Sequence, residues 1–130
     1  MNLKLPNKIK WGGHLFDVLF PCEMDSEDAD MDYGTKVFRI DSKNKAGELY
    51  PASVVIVNLL HEIFHGIDDF TGRELFELEE GGQDEGAIDA YAETTFMLIA
   101  DNFESVIESL IKSGYPLKEL VDRIAEKIRQ

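Results

Sequence analysis

The chain holds a single cysteine, Cys22, so no intramolecular disulfide can staple it, and cytoplasm is the expected compartment. Beside Pro21 at a strand end, Cys22 reads as a small apolar residue rather than a nucleophile. Positive charge is scarce: 13 basic residues face 26 acidic ones, a formal net charge of −13. Such a field repels phosphate backbones and anionic lipid headgroups, so neither nucleic acid nor a membrane surface is an expected partner. No apolar run reaches about 18 residues, which leaves no bilayer-spanning helix to expect. The opening MNLKLPNKIKWGGHLF has two early lysines but lacks an apolar stretch followed by a small-residue cleavage site, unlike a secretory signal. Linkers, repeats and low-complexity tracts are missing too, so the 130 residues are expected to form one domain, 1–130.

What is present divides into a β-leaning first third and an α-leaning remainder, the pattern of an α+β fold. Lys8 to Trp11 and Leu15 to Phe20 flank Gly12-Gly13, which suits a tight hairpin. Thr35 to Asp41 alternates polar and apolar residues and reads as a third strand, giving a small three-stranded antiparallel sheet. Trp11 and Phe16 are expected to pack this sheet against the central helix, and His14 to be an ordinary hairpin residue. The acidic stretch between strands two and three, EMDSEDADMDYG, resembles a calcium loop only faintly. Its glycine comes one position late, and Arg39 stands where a bidentate glutamate is needed, so a solvated acidic loop is predicted.

From Pro51 the period changes to that of a helix. Ala52 to Ile67 is apolar almost all round, with Ser53, Asn58, His61, Glu62 and His65 as exceptions, so a central, buried helix is expected. Asp68 to Gly72 forms its exit and Glu74 to Gly82 a glutamate-rich connector. A third helical region, Asp84 to Asn102, carries Ile88, Ala92, Thr95, Leu98 and Ile99 at helical spacing. Further helices are predicted over Phe103 to Lys112, ending at Ser113-Gly114, and over Leu117 to Arg129. The last should dock through Leu117, Leu120, Val121, Ile124 and Ile128.

The chemistry is concentrated in His61-Glu62-Ile63-Phe64-His65. Two imidazoles four positions apart lie on one helix face and can bind one metal ion together. Glu62 then leans over the open side of that ion. Zinc in such a site lowers the pKa of water towards about 7, and a neighbouring carboxylate can take the water's proton as attack begins. With three His and 14 Glu in the chain, this pentapeptide arises by chance roughly once in a hundred such sequences. Its apolar setting adds weight, because two bare imidazoles and a carboxylate are costly there without a compensating cation.

Twenty positions after His65 comes Glu85-Gly86-Ala87-Ile88-Asp89. Glu85 and Asp89 share a helix face, so Glu85 suits the role of third ligand and Asp89 that of hydrogen-bond acceptor for a ligand imidazole. Glu77, Glu79, Glu80, Asp84, Asp89 and Glu93 are its rivals as ligand. A His2Glu set leaves a fourth position open for water, as catalysis by zinc requires, though manganese or iron suits the same donors. Tyr91 and Tyr33 are the candidates for stabilising a developing oxyanion, but aromatics at such positions usually belong to the core.

HExxH followed by ExxxD resembles the gluzincin metallopeptidases, and the small size, strand lead-in and EGAIDAYAETTFMLIADN helix are most similar to minimal gluzincins of the ImmA/IrrE type and their phage-encoded relatives. The likeness covers roughly Thr35 to Asn102. It implies a zincin-like fold, one Zn2+ per chain on His61, His65 and Glu85, Glu62 as general base, Asp89 orienting His61, and a protein or peptide substrate, in a phage or mobile-element setting. The chain departs from the large secreted gluzincins in having no room for the domain that bears their transition-state histidine or tyrosine. Two other readings stand beside a peptidase: a non-catalytic zinc-binding interaction module, in which the metal ties two helices together, and a metal-free acidic helical adaptor.

Overall fold

A computed structural model describes residues 3–11, 13–114 and 118–129. Four strands, β1 (Lys8–Trp11), β2 (His14–Leu19), β3 (Ala29–Asp32) and β4 (Val37–Ile40), precede four helices. These are α1 (Ala52–His65), α2 (Ile67–Thr71), α3 (Glu85–Lys112) and α4 (Lys118–Arg129). The α+β class follows. Contacts cluster into two compact units, Met1–Phe96 and Met97–Gln130, and every residue of the predicted metal site belongs to the first.

The sheet corrects the expected three-stranded antiparallel arrangement. It is four-stranded and mixed, in the order β1-β2-β4-β3. β1 and β2 form the predicted hairpin, Trp11 opposite His14, with Gly13 at φ +81° and Gly12 outside the described residues. β2 and β4 run parallel, because the chain between them crosses over to lay down β3, which pairs antiparallel with β4. β3 lies inside the stretch predicted to be a solvated loop. Its ADMD alternates: Ala29 is buried and Met31 half-buried. Asp30 stands opposite Arg39 and accepts two hydrogen bonds from its guanidinium, at 2.7 and 2.6 Å. A cross-strand ion pair of this kind lets a charged residue occupy a strand.

α1 packs against β3 and β4, burying Val55 and Leu59 with Phe16, Val18, Phe38 and Ile40. From Val54 to His65 no residue is exposed, as a central helix requires. Its end differs from expectation: the helix stops at His65, and α2 occupies most of the predicted exit before Gly72 turns the chain at φ +65°. At the junction of the two helices stands Gly66, where a Cβ would lie 2.9 Å from the Trp11 ring and 3.1 Å from the Met31 methyl. Only glycine lets the backbone after His65 approach the sheet so closely. Trp11, Phe16 and Phe70 stack there, Trp11 and Phe70 with ring centroids 4.0 Å apart.

α3 corrects a second expectation, since no break separates Asn102 from Phe103. Asn102 donates from its side chain to the Leu98 carbonyl at 3.1 Å and so stays within the helix. Ile88 and Ala92 are buried as predicted, whereas Leu98 and Ile99 are exposed. In α4 the docking face predicted from Leu117, Leu120, Val121, Ile124 and Ile128 lies outside the described residues and side chains.

Candidate metal centre

Three elements converge beside β3. α1 contributes His61 and His65 from one face, and Glu62 from between them and the stripe through which Val55 and Leu59 are buried. α3 contributes Glu85 and Asp89 from its first turns. Asp84 caps this helix, its carboxylate accepting the Ala87 N–H at 3.0 Å while its carbonyl accepts from Ile88. That cap sets Glu85 at the first helical position, facing α1. The connector supplies a residue that the sequence reading missed, Gln83. Glu77 and Gln83 pair across a tight turn in which Gly81 and Gly82 both take positive φ.

The donor atoms meet closely. His61 Nε2 and His65 Nε2 stand 2.9 Å apart, and Glu85 Oε2 lies 3.0 Å from the first and 3.1 Å from the second. Zinc bonds of about 2.0–2.1 Å place tetrahedral ligand atoms about 3.3 Å apart, so the three donors fit one such ion with a slight contraction. Among the described residues this is the one group of three or more His, Cys, Asp or Glu placed to hold a metal. Of the rival carboxylates, Asp84 is engaged as a cap, and Glu77, Glu79, Glu80 and Glu93 are exposed outside the cleft.

Second-layer contacts assign the tautomers. His61 Nδ1 is 2.6 Å from Asp89 Oδ1, and His65 Nδ1 is 2.6 Å from Gln83 Oε1. Gln83 cannot usefully flip, since its amide nitrogen donates to the His65 carbonyl and to Asp68 at 3.2 and 3.3 Å. Asp68 in turn accepts the N–H groups of Leu75 and Phe76. Both imidazoles therefore donate through Nδ1, and both turn Nε2 lone pairs towards Glu85. With Glu85 ionised, one proton on an Nε2 serves one edge at a time, and protons on both Nε2 atoms oppose each other across 2.9 Å. A single cation at their centre satisfies all three.

A cleft of about 610 Å³ opens over these atoms, lined also by Ala29, Asp30 and Met31 of β3 and by Asn58, Tyr33 and Asp69. Glu62 lies in its wall beside the two histidines. Burial pushes the Glu62 carboxyl up to about 7, partly offset by His65 and reinforced by the negative charges of Asp30, Glu27 and Glu85. A divalent cation on the two histidines would draw this value down again, towards the ionised form that a general base needs. Of the two tyrosines considered for the oxyanion, Tyr33 lines the cleft, its ring among those of His14, Phe16 and Phe70. Tyr91 does not; it packs against Phe64 and Phe76 and is 57% exposed. Compared with known proteins, the chain matches no family model, no curated protein and no solved structure.

Proposed function

We propose that this chain is a zinc-dependent peptide-bond hydrolase of gluzincin type, with His61, His65 and Glu85 as metal ligands, Glu62 as general base and Asp89 and Gln83 orienting the two imidazoles. The observation that carries the reading is the set of three short contacts among His61 Nε2, His65 Nε2 and Glu85 Oε2, which a shared cation would relieve together. When bound there, zinc would supply Lewis acidity, polarising a carbonyl and acidifying water.

The chain's own residues account for the remainder. β3 is an edge strand of the sheet and lines the cleft, so an extended polypeptide can add to its free edge by main-chain hydrogen bonding. Glu62 accepts a proton from the attacking water, whose oxygen bonds to the scissile carbonyl carbon. As the C–N bond breaks, Glu62 returns that proton to the departing nitrogen, leaving a carboxylic acid and an amine. We place the reaction on intracellular protein in the cytoplasm, the compartment expected of a chain with a single cysteine.

Purified without added metal, the protein is expected to carry about one zinc per chain, and Glu62→Gln to retain it while peptide hydrolysis falls at least about 100-fold. Turnover by Glu62→Gln at the wild-type rate would remove the base assignment. Stoichiometric zinc with no cleavage of any peptide pool would make the chain a non-catalytic zinc-binding module instead.

A further inference from the structure

The cleft walls carry a charge that hydrolysis alone does not require. Besides the three carboxylates of the candidate metal site, Glu27, Asp28 and Asp30 line one side and Asp69 another, and no lysine or arginine among the described residues lines it. A divalent cation offsets two of these seven charges. Asp30 is neutralised by Arg39, and Asp28 accepts the Tyr50 hydroxyl at 2.6 Å. Glu27 and Asp69, both exposed, have no cationic partner among the described residues. Carboxylates around a concave, partly desolvated wall focus their field into the cavity rather than into bulk water. Asn58, one helical turn before Glu62, adds a second observation: its Nδ2 is buried and meets no acceptor. A polypeptide brings both what this wall lacks, a positive charge, and what that amide lacks, a carbonyl.

We propose that the cleft selects polypeptide segments bearing lysine or arginine and disfavours acidic ones, Glu27 and Asp69 being the carboxylates that read the charge. The inference rests on the hydrolase reading for its setting and adds the substrate class.

Zinc-loaded Glu62→Gln protein is titrated into three fluorescein-labelled peptides of one length and backbone, carrying paired Lys, Gln or Glu residues. Anisotropy is read at about 20 mM and about 200 mM salt. The Lys peptide should bind about tenfold more tightly than the Glu peptide at low salt, and the gap should narrow at high salt. Adding Glu27→Gln and Asp69→Asn should cut that preference by about two- to five-fold per carboxylate. A control pair outside the cleft, Glu48→Gln with Glu79→Gln, should leave it intact. Equal binding of the three peptides, binding of none, or an equal loss in the control pair overturns the proposal. Cleavage of the same peptides by wild type separates the two readings. Selective binding without cleavage sinks the hydrolase and keeps the charge selection, whereas equal cleavage and equal binding of all three do the reverse.

Discussion

The two sides of the candidate metal site are built differently. On the α1 side the histidines are mostly buried, with side chains 17% and 19% exposed, and are anchored by a helix packed on the sheet. On the α3 side Glu85 and Asp89 are 64% and 61% exposed. The two imidazoles inherit this asymmetry. His61 leans on exposed Asp89, while His65 leans on Gln83, itself held by Asp68 and by the His65 carbonyl. A closed ring of hydrogen bonds thus fixes one imidazole and a single solvent-facing contact fixes the other. Site geometry is stored in the α1 side and the connector, and the α3 carboxylates complete it.

The sharpest way to break this contrast is to remove each support. Gln83→Leu strands the His65 Nδ1–H and is expected to weaken zinc binding about 10- to 100-fold. Asp89→Asn keeps an acceptor and should cost less than about tenfold. Competition with a zinc chelator measures both, and a larger loss from Asp89→Asn would show that the exposed contact governs. Next in size is the backbone beneath the site. Gly66→Ala forces a methyl onto Trp11 and should destabilise the fold by about 1–3 kcal/mol in urea unfolding. Gly82→Ala in the connector meets nothing within 4 Å but must hold φ near +75°, at about 1 kcal/mol.

An effect of similar size concerns pH. In the metal-free protein the folded Glu62 carboxyl titrates near 7 and the unfolded one in the ordinary range around 4.5. Between those values the folded state holds a proton that the unfolded state has lost, so stability falls as pH rises through the window and levels off above it. Glu62→Gln lacks this titration. It should therefore gain on wild type from pH 5 to pH 8, by about 1–2 kcal/mol once solvent screening of a half-buried group is allowed for. Parallel thermal melts of the two proteins with pH would leave burial of Glu62 without support.

Much of the site was legible because its residues obey local periodicity. The i, i+4 spacings of His61 with His65 and of Glu85 with Asp89 specify shared faces without any knowledge of the fold. β3 was hidden because its alternation spans only four residues within an acidic run, and the partner that makes Asp30 tolerable, Arg39, is adjacent only in register. Gln83 was hidden for a similar reason, its contacts with His65 and Asp68 spanning 18 and 15 positions. A local clue did exist: Gly81-Gly82, a turn signal, delivers an amide side chain at the end of a run of acids. The uninterrupted α3 was missed because Asp101-Asn102 favours caps and turns over helix interiors, and only the bond from the Asn102 side chain to the Leu98 carbonyl shows that the chain stays helical there.

The chain's one tryptophan lies over Gly66, the residue directly after His65, with the Phe70 ring packed against it. Its indole emission consequently comes from a single source at the junction where the ligand-bearing helix meets the sheet. The molecule carries its own optical gauge, able to follow events at that junction without a label.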